Sequence, residues 1–369
     1  MLKTLKVKLN TRADRSYSIV IGRGILKNAG KTIKDLGIGN DIFLITDSNV
    51  NRLYGKQALL SFRRGGFKET GGCVILAGEK SKSLASFQKI QDALYNFDRR
   101  GDRQIVVATL GGGVPGDLGG FIAGTYKRGV SFIQMPTTLL GFVDCGLGGK
   151  TAVNFRKAKN SIGIFWQPRL VYMDIDTLRS LPLREIQSGL AETLKYGIIS
   201  DPSLFDYLEF NSDKLLALDM AVYEKVIPIC VKIKADITSA DERDEKDIRI
   251  MLNFGHTAGH AIEAATNYKK YTHGEAIALG MLIAGEISKE LGLFQDADLF
   301  RLENLIENLG LPVKLSGCKV SSVLEAMKHD KKFKSGVNRF ILPVKIGACK
   351  VVNNIPEKVI AKAIKSRMV

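Results

Sequence analysis

The chain has 369 residues, of which 45% are hydrophobic and 25% are charged, a composition typical of a soluble globular protein of about two domains. No apolar run approaches the ~18 residues that a membrane-spanning helix needs, so we expect no membrane partner. Lysine and arginine outnumber aspartate and glutamate by 54 to 38, which gives a net charge of +16. Because this excess is spread along the chain and is not interleaved with aromatic residues, it favours a small anionic ligand over nucleic acid.

The N-terminal segment MLKTLKVKLN alternates apolar and polar residues, which predicts a first β-strand and not a signal peptide. The five cysteines are scattered, odd in number and without CxxC spacing, as expected of inert thiols in a reducing compartment. Together these features predict a cytoplasmic protein.

The first half of the chain alternates strand-like with helix-like segments. Apolar, β-branched runs at 41–50, 73–79, 104–113 and 130–138 end in turn or polar residues, and an amphipathic stretch at 81–98 lies among them. Strands that alternate with helices at this spacing indicate a mainly parallel sheet covered on both faces. We therefore predict a Rossmann-like α/β domain over residues 1–180.

The second half of the chain has mostly helical periodicity. The segments with this pattern are 181–200, 221–241, 257–266 and 274–292. A short strand-like patch, NRFILPVKIGACKVV, follows near the end. We predict a mostly α-helical domain over residues 181–369, with the active site in the cleft between the two domains.

A glycine-rich segment follows the predicted strand QIVVATL. Its residues Gly111 to Asp117, GGGVPGD, satisfy the pattern G-x-G-x-x-G, in which glycines let backbone amides approach a pyrophosphate. A plain tight turn would give the same pattern. The ribose-binding acid expected about 20 residues later is missing, and Asp47 and Glu79 are candidate acids elsewhere. The sequence thus predicts a dinucleotide site without the standard Rossmann layout.

Three of the four histidines fall between positions 256 and 273. His256 and His260 are spaced i, i+4 and would share one helical face. A helix cap or satisfied core histidines are the structural alternative, but the clustering favours a catalytic metal with one open coordination position, such as Zn²⁺. Spacing leaves open whether His260 or His273 is the second ligand. The candidate carboxylate ligands are Glu192, Glu263 and Glu275.

Glu192 also has a lysine, Lys195, three residues later on the same helical face. This arrangement suits the binding of an anionic polyol. The structural alternative is a surface ion pair, worth less than ~1 kcal/mol.

Ordered blocks along nearly the whole chain resemble 3-dehydroquinate synthase, a member of the sugar phosphate cyclase superfamily. The blocks are GGGVPGDLGGFIAGTYKRG, QMPTTLLGFVDCGLGGKTAVN, KNSIGIFWQP, LPLREIQSGLAETLKYG, DIRIMLNFGHTAGHAIE, HGEAIALGM and DKKFKSGVNRFILPVKIG. The resemblance implies a homodimer that uses NAD and Zn²⁺ or Co²⁺. It also makes Glu192, His256 and His273 the metal ligands and places His260 on the substrate side.

The resemblance assigns two further groups of residues. The nucleotide would contact Asp47, Glu79, Lys82, Gly113, Val114, Pro115, Gly116, Asp117, Thr137, Thr138, Asp144, Lys150, Lys159, Thr177, Leu178, Arg179 and Ser180. The substrate would contact Arg128, Asn160, Lys195, Lys234, Arg249, Asn253 and Lys331.

The implied reaction converts 3-deoxy-D-arabino-heptulosonate 7-phosphate to 3-dehydroquinate and phosphate, in the shikimate pathway of aromatic amino acid and chorismate biosynthesis. NAD⁺ transiently oxidises the substrate's carbon-5 alcohol, phosphate leaves by β-elimination, the hydride returns, and an intramolecular aldol reaction closes the ring. Competing hypotheses are a different sugar phosphate cyclase, an NAD-dependent metal alcohol dehydrogenase and a nucleic-acid binder.

The sequence departs from the family pattern in two places. Phe142, Cys145 and Gly146 stand where polar residues are usual around the Val-Asp pair. The acidic stretch DERDEKDIR, which contains Glu245 and follows Lys234, is one residue longer than usual and lacks its glycine.

Overall fold

The computed structural model describes residues 15–99, 104–156, 158–328 and 338–369. The strand predicted over the first ten residues lies outside these ranges. In chain order the strands are β1 Ser18–Gly22, β2 Asp41–Asp47, β3 Thr70–Ile75, β4 Ile105–Gly111, β5 Ser131–Pro136, β6 Lys150–Phe155, β7 Ala158–Phe165, β8 Leu170–Asp174, β9 Arg339–Lys345 and β10 Ala348–Asn353.

The α-helices of the described residues fall on both sides of position 180. In the first half they are α1 Ala29–Lys34, α2 Ser48–Val50, α3 Lys56–Arg64, α4 Leu84–Phe97 and α5 Gly113–Thr125. In the second half they are α6 Leu183–Ile199, α7 Pro202–Phe210, α8 Ser212–Leu216, α9 Met220–Ala240, α10 His256–Ala265, α11 His273–Glu290, α12 Asp296–Asn308, α13 Val320–Lys328 and α14 Glu357–Ser366.

Six strands form one parallel sheet in the order β1-β8-β5-β4-β2-β3. Every residue of β2 and of β4 is buried, because apolar layers cover both faces of the sheet. One layer includes residues of α1 and α3, and the other includes residues of α4 and α5. The predicted α/β architecture with a mainly parallel sheet is confirmed.

The order in which successive strands are added to the sheet reverses between the neighbouring strands β2 and β4. After β2 the next strand, β3, adds on one side of the sheet, whereas after β4 the next strand, β5, adds on the other. In open α/β sheets, ligands bind at the carboxyl ends of the strands on either side of such a reversal. Asp47 ends β2 and Gly111 ends β4, so the predicted nucleotide residues meet at this position.

The second half packs its helices around one large apolar core. Helices α10 and α11 cross closely, because Gly280 meets the backbone of Gly255 and Gly259 where any larger side chain would collide. This crossing brings the start of α10, with His256, near the start of α11, with His273. The mostly helical character of this half is confirmed, and the strand-like patch forms the antiparallel pair β9–β10.

Four strands of the described residues were not predicted. β1 and β8 pair at one end of the sheet, and β6–β7 form an antiparallel hairpin apart from it. The hairpin carries Lys150, Lys159 and Asn160. A domain boundary near residue 180 stays a prediction, although β8 ends at Asp174 and α6 begins at Leu183. Among the described helices, none combines the length and the apolar character that crossing a bilayer requires.

Candidate active site

Two adjoining cavities lie between the α/β and helical halves. One has a volume of about 450 Å³ and is lined by cationic and amide side chains, including Lys195, Lys234, Arg249 and Asn253. The other, of about 750 Å³, extends along the start of α5 to the histidine cluster. We call them the substrate cavity and the nucleotide cavity. Both are lined by Asp117, Asp144, Cys145 and Asn160.

Glu192, His256 and His273 converge at the wall of these cavities. Nε2 of His256 lies 3.3 Å from Oε1 of Glu192, and Nε2 of His273 lies 3.6 Å from the same oxygen. Neither oxygen of Glu192 has a well-formed hydrogen bond within the described residues, although the Lys195 ammonium lies against one of them. Two imidazole nitrogens that face an under-satisfied, fully buried carboxylate are a donor set suited to a divalent cation.

Hydrogen bonds orient both imidazoles toward this position. Nδ1 of His256 lies 3.0 Å from the carbonyl oxygen of Phe254, and Nδ1 of His273 lies 3.4 Å from Oε2 of Glu263. When Nδ1–H donates to these oxygens, the lone pair of each Nε2 faces Glu192. Such bonding from the far ring nitrogen is usual for histidines that bind metals.

Electrostatics at the cluster favour a positive charge beside Glu192. Burial alone would raise the pKa of Glu192, but the charge of Lys195, helped by the two imidazoles, holds it well below the usual carboxyl range. Burial lowers the pKa of His256 well below its usual value. Burial would also lower the pKa of His273, yet the neighbouring carboxylates of Glu192 and Glu263 raise it to about 10. A divalent cation would take the place of that proton.

A second group of possible ligands overlaps the first. It consists of His260, Glu263 and His273, with His260 and Glu263 on α10. The ring centre of His260 lies 5.3 Å from that of His256 and 5.9 Å from that of His273. The choice that spacing left open between His260 and His273 therefore becomes a choice between two triads that share His273. Glu275, the remaining candidate carboxylate, instead forms a capping box with Thr272 and an ion pair with Arg184.

The buried cations of the substrate cavity are held by carboxylates. Lys195 and Glu192 are both fully buried on α6, so they are not a surface ion pair. Lys234 on α9 contacts the Asp144 carboxylate and donates to its backbone carbonyl at 2.6 Å. Burial would raise the pKa of Asp144, but Lys234 and Lys195 lower it, whereas burial lowers the pKa of Lys234 despite Asp144.

Arg249 and Asn253 lie on one short 3-10 turn, Arg249–Asn253, just before α10. The Arg249 guanidinium is buried and donates to the backbone carbonyl of Glu242 at 3.0 Å, while its Nε has no hydrogen-bond partner within the described residues. Lys150 at the start of β6 contacts Asp244 of the longer acidic stretch. Lys150, which was predicted to contact the nucleotide, lines the substrate cavity and not the nucleotide cavity.

The nucleotide cavity begins at the predicted glycine-rich loop. Gly112 precedes α5, and Gly113, Val114 and Asp117 of that helix line the cavity with Glu79 and Lys82. The buried Lys82 ammonium contacts both the Asp117 carboxylate and the Asn160 side chain. Burial raises the pKa of Asp117, although Lys82 opposes this.

Other predicted nucleotide residues lie at strand ends without lining the cavity. Asp47 caps α2, and its carboxylate lies 3.3 Å from where a Cβ on Gly111 would be. Thr137 and Thr138 follow β5, and Thr177 to Ser180 follow β8. Thr177 donates to the Thr137 carbonyl at 3.4 Å, so these two segments are in contact.

Two predicted substrate residues are not in the cavities as described. Arg128 lies on the exposed turn Tyr126–Arg128 with a φ of 65°, and it does not line either cavity. Lys331 lies outside the described residues. Asn154 was not among the predicted site residues. Its side-chain amide donates to Glu79 at 2.7 Å, and its side-chain oxygen accepts from the backbone N–H of Asn160 at 2.9 Å. Only the alternation of β6 could have indicated its direction.

Comparison with known proteins decides the family. Two family models match, 3-dehydroquinate synthase N-terminal over residues 72–188 and 3-dehydroquinate synthase C-terminal over residues 189–333. The chain belongs to the 3-dehydroquinate synthase family. It is 43% identical over 355 residues to the 3-dehydroquinate synthase of Desulforamulus reducens, covering 96% of this chain and 97% of the relative. It is also 43% identical over 349 residues to that of Prochlorococcus marinus, covering 94% and 95%.

Solved structures of related cyclases have the same fold. The 2-epi-5-epi-valiolone synthase of Streptomyces hygroscopicus, with NAD⁺ and Zn²⁺ bound, has a TM-score of 0.87 and 29% identity, covering 98% of this chain and 99% of the other. A 2-deoxy-scyllo-inosose synthase complexed with carbaglucose-6-phosphate, NAD⁺ and Co²⁺ has a TM-score of 0.82 and 25% identity, covering 95% and 96%. Glycerol dehydrogenase of Schizosaccharomyces pombe, at 16% identity, TM-score 0.66 and coverage of 96% and 90%, shares the fold alone.

Proposed function

We propose that the chain converts 3-deoxy-D-arabino-heptulosonate 7-phosphate to 3-dehydroquinate and phosphate, with NAD and one divalent cation, Zn²⁺ or Co²⁺, as cofactors. The observation that carries this proposal is the position of the Glu192, His256 and His273 cluster. It lies where a cation-lined cavity adjoins a cavity that begins at a glycine-rich helix start. The family and the ligands bound to the related cyclases support it.

The cofactors would supply two capacities, reversible hydride transfer by NAD and polarisation of a substrate alcohol oxygen by the cation. In this proposal Glu192, His256 and His273 hold the cation, and His260 faces the substrate. The start of α5, with Glu79, Lys82 and Lys159, holds the nucleotide. Asp47, Pro115, Gly116, Thr137, Thr138 and the Thr177–Ser180 turn shape the strand ends behind it.

The substrate would be held by its two anionic ends. Arg249 offers a planar fork of donors suited to a carboxylate, and Asn253 on the same turn adds an amide. Lys195, Lys234 and Asn160 line the same cavity and would bind the phosphate and hydroxyl groups. Fixing both ends keeps the reacting carbons in register through several steps.

The proton removed during phosphate elimination needs an acceptor. The carboxylates that line the substrate cavity within the described residues each contact a lysine: Asp117 with Lys82, Asp144 with Lys234, and Asp244 with Lys150. Each of these carboxylates already engages a cation, and the charges of Lys234 and Lys195 lower the pKa of Asp144, which makes that carboxylate a weak base. We therefore propose that the departing phosphate itself accepts the proton.

Substrate choice tests this function. We expect phosphate release from the seven-carbon acid phosphate and at least ~100-fold lower kcat/KM for the analogue whose carboxylate is replaced by hydroxymethyl, because the buried Arg249 would lose its charged partner. Phosphate release measured with both compounds checks this. Equal rates would indicate a cyclase for a neutral sugar phosphate.

A homodimer in which Arg128 reaches the partner's substrate is a further part of the proposal. Arg128→Ala and His273→Ala should each be inactive alone, because one loses a phosphate contact and the other a metal ligand. If Arg128 acts across the interface, random reassortment of equal amounts restores about a quarter of wild-type activity, since half the dimers are mixed and each then holds one complete site. Phosphate release after refolding the mixture checks this, and no recovery would contradict action across the interface.

A further inference from the structure

We propose that Glu263 is a positioning residue that fixes the metal ligand His273 with one carboxylate oxygen and Lys159 of the β6–β7 hairpin with the other. The inference rests on the proposed function, since it takes Glu192, His256 and His273 as the metal ligands. In this proposal Glu263 does not touch the cation, but it orients His273, which does.

The geometry gives each oxygen of Glu263 a different partner. Oε2 lies 3.4 Å from Nδ1 of His273, and Oε1 lies 3.1 Å from Nζ of Lys159. The side chain of Glu263 is only 6% exposed, whereas those of Lys159 and His273 are 37% and 30% exposed.

The contact with His273 determines which ring nitrogen can bind a cation. A carboxylate at Nδ1 keeps the proton there and leaves the lone pair of Nε2, which faces Glu192 at 3.6 Å. Glu263 thus orients the imidazole through Nδ1, the ring nitrogen that does not face Glu192.

The contact with Lys159 links the two halves of the molecule. Lys159 lies on the hairpin, whereas Glu263 lies on α10 of the helical half. The Lys159 ammonium also lies 4.2 Å from the ring centre of Tyr268, which follows α10 and lines the nucleotide cavity. Because one carboxylate serves both partners, the orientation of the metal ligand and that of a nucleotide-side lysine depend on one side chain.

The substitution Glu263→Gln tests the inference because a glutamine has nearly the same shape but only one acceptor oxygen. Its NH₂ group must face either His273 or Lys159, both of which are donors. In the full-length enzyme loaded with Zn²⁺, we expect release of the ion to a chelator to accelerate about 10- to 100-fold, the usual effect of losing a partner of a metal ligand. Lys159→Met should weaken NAD⁺ binding, and it should accelerate the release of Zn²⁺ less than Glu263→Gln does.

The Co²⁺-loaded protein separates positioning from direct ligation. If Glu263 only orients His273, the visible d–d spectrum of Glu263→Gln keeps the wild-type band shape, because the ligand set is unchanged. A changed band shape would make Glu263 itself a ligand, as in the triad with His260, and would overturn the inference. Glu286→Gln is the matched control: it removes a partly buried, ion-paired carboxylate of α11 that contacts Arg367, far along the helix from His273.

Two outcomes distinguish this inference from the proposed function. Wild-type protein that binds neither Zn²⁺ nor Co²⁺ would contradict the proposed metal site itself. Wild-type protein that binds the ion, with Glu263→Gln releasing it no faster than Glu286→Gln does, would leave the metal site standing and refute the role of Glu263.

Discussion

His273→Ala should lose stoichiometric Zn²⁺, whereas His260→Ala should retain it. His273 and His256 both direct Nε2 at the same buried oxygen of Glu192, with distances of 3.6 and 3.3 Å. Removing one of three protein ligands leaves two, too few for the catalytic zinc sites that use three protein ligands and one open position. Phosphate release by His273→Ala should fall at least ~1000-fold, a barrier increase of about 4 kcal/mol.

His260→Ala is the matched control, because it removes an imidazole of α10 that lines the nucleotide cavity as His273 does. We expect it to bind one equivalent of Zn²⁺, measured by elemental analysis after gel filtration, while its kcat falls. Glu192→Gln should lose the ion as His273→Ala does. Loss of Zn²⁺ from His260→Ala together with retention in Glu192→Gln would assign the ion to the triad of His260, Glu263 and His273 instead.

Lys195→Met should destabilise the metal-free protein by up to about 3–5 kcal/mol, because removing one member of a buried ion pair leaves Glu192 with only the more distant imidazole of His273 as a positive neighbour. Glu192 has no exposed surface and Lys195 is its cationic contact on the same helix. Burial would lower the pKa of Lys195, but Glu192 and Asp144 raise it, so the lysine is charged at neutral pH. Saturating Zn²⁺ should recover much of the loss, since the ion supplies the missing positive charge beside Glu192.

Urea unfolding with and without Zn²⁺ measures both effects. The control is Lys232→Met on α9, whose ion pair with Asp236 is exposed and should contribute less than ~1 kcal/mol. Zn²⁺ should stabilise Lys195→Met more than it stabilises wild type. An equal stabilisation by Zn²⁺ in the two proteins would show that the ion does not bind at the Glu192 carboxylate.

The sequence predicted most of the elements whose residue pattern is set by burial, but not the fully buried strand β8. Strands β2 and β4 are buried along their whole length inside the sheet, and the segments that become α4 and α9 pack one face against a core, whereas most of α6 is buried on all sides. The hairpin β6–β7 escaped prediction because most of β7 is exposed, so its residues carry little apolar signal.

Part of the site could also be predicted and part could not. The clustering of His256 and His273 along the chain was visible, whereas the direction of each imidazole depends on the crossing of α10 and α11. The i, i+3 spacing of Glu192 and Lys195 is equally compatible with a surface pair. Only the packing of α6 within the helical core shows that both are buried. Likewise, Glu263 was one of three candidate carboxylate ligands, and its contact with Lys159 joins residues that are 104 positions apart.

We expect NAD to be a recycled catalyst, which would separate the cyclase from a dehydrogenase of the same fold. A simple alcohol oxidation gains little from the cationic lining formed by Lys195, Lys234 and Arg249. An elimination needs the phosphate held while the ketone exists only transiently, and the hydride must return before the product leaves. The decisive measurement follows phosphate and NADH absorbance together, with the seven-carbon substrate in large excess over NAD⁺. We expect phosphate to appear continuously over many equivalents of NAD⁺ without accumulation of NADH in solution. Stoichiometric build-up of NADH alongside product would contradict the synthase assignment.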